Sequence, residues 1–265
     1  MTSRSVRRTA VACVAGSLLL ATPVLAQRVT LRVRPPIGDT LHMELQQRFE
    51  MEPMDGKGAM SGQLRVWSHS VPQRRSGTFT EVLSVTDSVQ VTPPSAAMLR
   101  PLQEAKRALE GRTVHLRVEE NGELVVGRDA GLDAAVQLPS TLPRGPIAVG
   151  ESWTRDLRVP LSTSGTSTAQ VRTSFRLDSL GRDGAVAFVS MRGDVSHNHA
   201  EDARGATGET TGTLTGTMQL DRRLSWITDS RMRLSLTSTV TQPGHAPSRV
   251  RMLITQVLRT LPPGE

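Results

Sequence analysis

Tyrosine is absent from the 265 residues, and four Phe and three Trp bring the aromatic share to only 3%. A chain so short of flat rings lacks the stacking platform of a single-strand nucleic-acid binder, and it offers little to a sugar face. Cysteine occurs once, as Cys13. Cys13 falls in what reads as a removable leader, so the rest of the chain has no disulfide, thiol nucleophile or thiolate metal site. Lysine occurs twice; the positive charge is carried by Arg spread along the chain, with none of the clustered basic stripe that nucleic-acid recognition requires. Apolar runs are short as well, and none reaches the roughly 20 residues of a membrane-spanning helix.

The N-terminus carries the three zones of a secretory signal. Arg4, Arg7 and Arg8 form a basic flank, residues 10–21 are apolar, and Val24-Leu25-Ala26 places small or modest side chains before the cut. The expected cleavage precedes Gln27, which makes 1–26 a signal peptide and lowers the formal charge of the remainder from +7 to +4. Thr9, Ala10 and Val11 after the Arg7-Arg8 pair favour general secretion over the twin-arginine route. Cys13 lies inside the apolar run, with Ala10 where a lipoprotein signal has Leu, so it is not a lipidation site. The expected location is periplasmic or secreted.

Residues 27–265 are long enough for one domain with its own core, and their main signal is alternation of apolar and polar residues, the period of a half-buried strand. Val29, Leu31 and Val33 alternate with Thr30 and Arg32. Leu41, Met43, Leu45, Phe49 and Met51 share a face, and Phe79, Leu83, Val85, Val89 and Val91 mark another strand. Met98, Leu102, Ala105 and Leu109 recur at helical spacing, with Ser95 placed to cap and Gly111 to stop the helix. Pro101 marks where its regular part begins. Asn121-Gly122 predicts a two-residue hairpin turn with Val118 facing Val125. Residues 127–152 read as a Gly/Pro-rich connector and 193–213 as a long polar loop. Alternation resumes through Leu214, Met218, Leu220, Trp226, Met232, Leu234 and Leu236, and Val250, Met252 and Ile254 close the chain. The expected fold is all-β and mainly antiparallel: a strongly curved sheet or open β-barrel of about ten strands, with one short helix. Gly38-Asp39-Thr40-Leu41 echoes Gly150-Glu151-Ser152-Trp153, and Asp87-Ser88-Val89 echoes Asp178-Ser179-Leu180, which suggests two loosely similar halves, 27–137 and 149–265.

Catalytic signatures are missing. No Gly-x-Ser-x-Gly elbow and no Asp-Thr-Gly or Asp-Ser-Gly occurs, and His42, His69 and His115 fall opposite the apolar faces. His197 and His199, with Glu201 and Asp202 nearby, have the i, i+2 spacing that can hold one metal ion on a strand, but a polar loop lacks the ordered outer shell of such sites. No metal or cofactor is therefore assigned. Met43, Met98, Met218, Met232 and Met252 fall on apolar faces, and flexible thioethers suit a cavity that accepts variable acyl chains. Met98, Met218, Trp226 and Met232 are the candidate ligand-lining residues, with Arg on the rim facing acidic headgroups.

The stretch Leu142-Pro-Arg-Gly-Pro-Ile-Ala-Val-Gly-Glu-Ser-Trp153, with its Leu-Pro, Pro-x-x-Val-Gly and strand-opening Trp, resembles a family of uncharacterised exported bacterial proteins. There a similar motif joins two β-rich halves, and a Gly-Asp pair near the mature N-terminus resembles Gly38-Asp39. The resemblance implies a bacterial cell envelope and supplies no activity. A looser similarity is to periplasmic lipoprotein carriers, whose open curved sheet encloses an apolar cavity beside helices; residues 95–110 would be such a helix. The leading expectation is a non-enzymatic envelope protein binding a lipid or lipoprotein. The alternatives are an assembly module acting through surface contacts with an envelope protein, and a hydrolase with dispersed catalytic residues.

Overall fold

The computed structural model describes residues 28–54, 58–95, 98–126, 141–160, 168–199 and 207–262. The expected signal peptide, its cleavage site, Glu201 and Asp202 lie outside them. In chain order the elements are β1 (Leu41–Pro53), β2 (Met60–Ser76), β3 (Phe79–Thr92), α1 (Leu99–Leu109), β4 (Thr113–Glu119), β5 (Leu124–Val126), β6 (Ser152–Pro160), β7 (Thr168–Gly181), β8 (Val186–His199), β9 (Thr207–Asp221), β10 (Trp226–Thr241) and β11 (Ser248–Leu261). All eleven strands form one antiparallel sheet in the order β5-β4-β3-β2-β1-β11-β10-β9-β8-β7-β6. The last strand returns to pair with the first, as in Met51↔Met252 and Leu45↔Leu258, so two meanders join at the centre and β5 and β6 are left as edges.

Register sorts the side chains onto two faces. On β9, Thr211, Thr213, Thr215 and Thr217 are exposed while Thr210, Leu214, Met218 and Leu220 are buried, which is the alternation expected where one face is wet and β-branched residues cover it. On the apolar face Gly193 lies opposite Leu214, Gly212 between Val195 and Leu236, and Gly216 between Met191 and Met232. A methyl on Gly212 would overlap the Ser235 carbonyl oxygen, and one on Gly216 the Arg231 carbonyl oxygen. Small and large residues alternate because side chains crowd together on the inside of a curved sheet. Gly193 and Gly212, within the expected loop of 193–213, are thus packing positions. This corrects the expected loop: β8 runs to His199 and β9 begins at Thr207.

Bulges add to the bend. Register shifts fall between Trp67 and Ser68, between Pro72 and Arg74, between Leu177 and Ser179, and between Ile227 and Asp229. The first leaves Asp87 as the extra residue of β3 and reverses the strand's parity. Val89 and Val91 therefore share the apolar face with Val82, while Leu83 and Val85 point the other way. The single apolar stripe expected from Phe79 to Val91 is split in two for that reason. Asp178 is the corresponding extra residue of β7.

The sheet curls until its two edges meet one short segment. Leu142 donates its N–H to the Asn121 carbonyl at the tip of the β4–β5 hairpin (3.0 Å). From β6, Arg155 donates to the Leu142 carbonyl and the Trp153 indole to the Thr141 carbonyl (both 2.8 Å). The hairpin tip itself differs from the expected two-residue turn. Gly122 has φ +81° while Asn121 does not take positive φ, so the loop has three residues and pairs Val118 with Leu124. That is the geometry of a turn closed by a single left-handed glycine.

The N-terminal segment closes the same end of the sheet. Val29 and Ile147 exchange backbone hydrogen bonds (2.8 and 2.9 Å), Val33 N–H reaches the Glu120 carbonyl and Arg34 N–H the Ser225 carbonyl (both 2.8 Å). Val29, Leu31 and Val33 are buried, so their alternation is that of a plug with one isolated bridge, and the expected strand is corrected accordingly. Glu151 locks the plug: its carboxylate accepts from the Ala148 N–H (3.1 Å) and from both nitrogens of Arg28 (2.8 and 2.9 Å). The Ala148 amide first, and Arg28 second, hold the carboxyl below its ordinary value of 4.5 against the opposing pull of desolvation. A carboxyl lowered in the folded state contributes stability above its unfolded pKa and loses it as pH falls through the folded one. Thermal melts should therefore place Glu151→Gln below the wild type at pH 7, with the gap closing as the pH drops below 4. A gap that is constant from pH 7 to 3 would contradict this role.

Candidate functional site

The apolar face is not covered evenly. Between β7 and β10 it is closed, with Val171, Phe175, Leu177, Val189, Leu214, Met218, Leu234 and Leu236 all buried. Across β2, β1 and β11 it is not. Every residue of β11 from Met252 to Leu258 is partly exposed, and so are Leu45, Phe49 and Met51 on β1 and Leu64 and Val66 on β2.

Register arranges these residues in rows. Met60, Met51 and Met252 are aligned across the three strands; next come Gly62, Phe49 and Ile254, with the Phe49 ring lying over Gly62. Leu64, Gln47 and Gln256 follow, then Val66, Leu45 and Leu258. From Met43 to Met51 the strip runs about 27 Å along the sheet, long enough for an acyl chain to lie on it. Met43, Met232, Met252 and Ile254 pack on the edge of the buried core, so the strip continues the core outward as a half-open trough. The Gln47–Gln256 pair is a polar row within it.

The four candidate lining residues are placed apart. Met218 (2% exposed) and Trp226 (5% exposed) lie in the buried core, and Met232 packs against it from the inner end of the trough. Met98 (36% exposed) precedes α1 on the surface. Beside Trp226 the free volume is about 10 Å³, bounded by Val33, Val118, Ile227 and Leu258; it has room for one water molecule. Helix α1 has no buried residue, and Pro101 is its third residue, where the missing N–H costs no helical bond. In the sequence Leu45 reads as part of an apolar strand face, and nothing singles out Leu64 or Val66.

His197 and His199 belong to β8, with His197 opposite Thr210 and His199 opposite Gly208. Among the described residues no three His, Asp or Glu side chains converge as a metal-binding group. A groove of about 280 Å³ opens on the polar face, lined by Arg182, Phe188, Gln219, Asp221, Thr228 and Asp229. Its two carboxylates are committed to the fold. Asp221 accepts from the N–H groups of Arg223 and Leu224 (2.8 and 3.0 Å), and Asp229 faces Arg231 and Arg259 (3.3 and 3.8 Å). No helix among the described residues is long and apolar enough to cross a membrane.

No family model and no curated protein matches the chain. Among solved structures it is similar to a lipovitellin structure whose subject is lipid–protein interactions, at 10% identity and a TM-score of 0.45. That match covers 88% of this chain and 26% of the lipovitellin chain, so the chain spans about a quarter of that protein. It is also similar to an outer membrane channel from Pseudomonas putida, at 8% identity and a TM-score of 0.21, over 86% of this chain and 97% of the channel. At these scores neither likeness carries a functional argument.

Proposed function

We propose that the chain is an exported cell-envelope protein that binds an apolar ligand, the acyl chain of a lipid or of a lipid-modified protein, along the trough on β2, β1 and β11. The observation behind this reading is the continuous set of half-exposed apolar side chains in register: Met51 and Met252, Phe49 and Ile254, Leu45 and Leu258, with Leu64 and Val66 beside them. A folded sheet leaves so much aligned apolar area open to water only at a cost, and contiguous apolar patches mark binding surfaces. The methionines favour an acyl chain over a rigid ligand, because unbranched thioethers follow a flexible chain. Burying about ten methylenes is worth up to roughly 8 kcal/mol, which before the cost of ordering the chain corresponds to micromolar affinity. The basic flank and apolar run of residues 1–26 support export, and no catalytic role is assigned.

Delipidated protein should therefore bind a fluorescent fatty acid such as cis-parinaric acid saturably, with one or a few molecules per chain. A linear, non-saturating response would remove the acyl-chain reading. The competing reading is an assembly module with a packed interior that works through its surface. The water-sized volume at Trp226 favours it for that end of the molecule, and it predicts a stable protein complex with no fatty-acid uptake.

A further inference from the structure

Three ionisable side chains stand in a row on the polar face, on the side of the sheet opposite the trough. His42 of β1 and His69 of β2 are register partners, so both rings leave the sheet on the same side. Their centroids are 6.0 Å apart, with the ring planes at 44°. On the far side of His69, the Asp87 carboxylate lies 2.7 Å from His69 Nδ1. Asp87 is the extra residue of the β3 bulge, a device that re-aims a side chain. The end of α1 fixes that bulge: Gly111 N–H donates to the Thr86 carbonyl (2.8 Å), and the Arg112 carbonyl accepts from Thr86 N–H (2.9 Å).

We propose that His42 and His69 bind one divalent transition-metal ion, with Asp87 as the positioning carboxylate. A carboxylate against Nδ1 keeps the imidazole proton on that nitrogen, which leaves Nε2 with a free lone pair and makes it a stronger donor. Two imidazoles holding one ion at about 2.1 Å in a tetrahedral arrangement have centroids roughly 5.3 Å apart. The observed 6.0 Å is longer than that, so binding requires the two rings to turn toward each other. Imidazole ligands select Zn²⁺, Cu²⁺ or Ni²⁺ over hard cations. Two protein ligands, with water completing the shell, make this a reversible site. The proposal is independent of the acyl-chain reading, since the trough occupies the other face of the same strands.

The test is calorimetric titration of untagged protein with ZnCl₂ and, separately, CuSO₄. One ion per chain is expected, with Cu²⁺ the tighter and its electron-spin spectrum showing nitrogen ligation. His42→Ala and His69→Ala should each lower the affinity at least about 100-fold without changing the thermal melt. Asp87→Asn keeps an acceptor but loses the charge, and should lower affinity about tenfold with the nitrogen pattern unchanged. His245→Ala, in the turn before β11, should leave binding intact. Absence of stoichiometric uptake, or uptake that survives the double change His42→Ala/His69→Ala, would overturn the assignment.

Discussion

Replacing Gly212 or Gly216 by alanine is expected to lower the melting temperature by roughly 2–12 °C, although each change adds a single methyl group. Both glycines lie on the inner face of β9, where the neighbouring strand β10 approaches so closely that the new carbon would overlap a backbone carbonyl oxygen, Ser235 for one and Arg231 for the other. Backbone cannot rotate aside as a side chain can, so the sheet itself would have to flatten. Leu236 folds over Gly212 and Met191 over Gly216, so their packing would be lost as well. Overpacking of this kind costs about 1–3 kcal/mol, and in a domain of this size each kcal/mol moves the melting temperature by about 2–4 °C. Gly145 provides the comparison. It lies in the segment between the two sheet edges with no heavy atom within 4 Å of an added methyl, and Gly145→Ala should shift the melt by less than about 2 °C. Equal effects at all three positions would mean that the sheet is not drawn tight at β9.

The second large effect concerns binding. Leu45→Glu and Leu64→Glu should each weaken fatty-acid uptake by at least tenfold, about 1.4 kcal/mol. A carboxylate at either position would have to lose its hydration against an acyl chain, and burial of an unpaired charge is avoided at a cost of several kcal/mol. Both positions are partly exposed in the free protein, so the carboxylate stays hydrated there and the fold tolerates it. Gln46→Glu is the matched control, one residue along β1 and on the opposite face. It should bind as the wild type does, and unchanged circular dichroism in all three variants would separate lost binding from lost structure. Equal losses in Gln46→Glu and Leu45→Glu would point to general charge repulsion and away from the trough.

Much of the architecture was legible in the alternation of apolar and polar residues. β9 and β10 follow it without exception from Leu214 to Leu220 and from Met232 to Leu236. Alternation cannot reveal an inserted residue: Asp87 reverses the parity of β3, and nothing in Val85-Thr86-Asp87-Ser88-Val89 distinguishes a bulge from a strand end. The glycine and threonine content of 193–213 signals a loop in most settings; here Gly193 and Gly212 fit against close neighbours, and Thr211 and Thr213 cover a wet face. Asn121-Gly122 indicated a hairpin but not its length, since only Gly122 needs the left-handed conformation.

The trough was the least legible part, because Leu45 reads no differently from Leu234 and Leu236, as one more residue on an apolar strand face. Which of them is covered depends on the curl of the whole sheet, set by contacts such as Leu142 with Asn121 and Arg155. The methionine pattern indicated an adaptable apolar surface but not its place. Met98 ends up on the surface beside α1, Met218 in the core, and Met51 and Met252 in the trough.

Native mass spectrometry of the protein purified gently from the cells that make it decides whether the trough holds lipid. A mass above that of the polypeptide by one or more lipid units is expected, removed by organic extraction and restored by added fatty acid. The increment should be absent from Leu45→Glu and Leu64→Glu. A mass equal to that of the bare chain in the wild type, with no adduct when fatty acid is supplied, would mean that the trough binds no acyl chain.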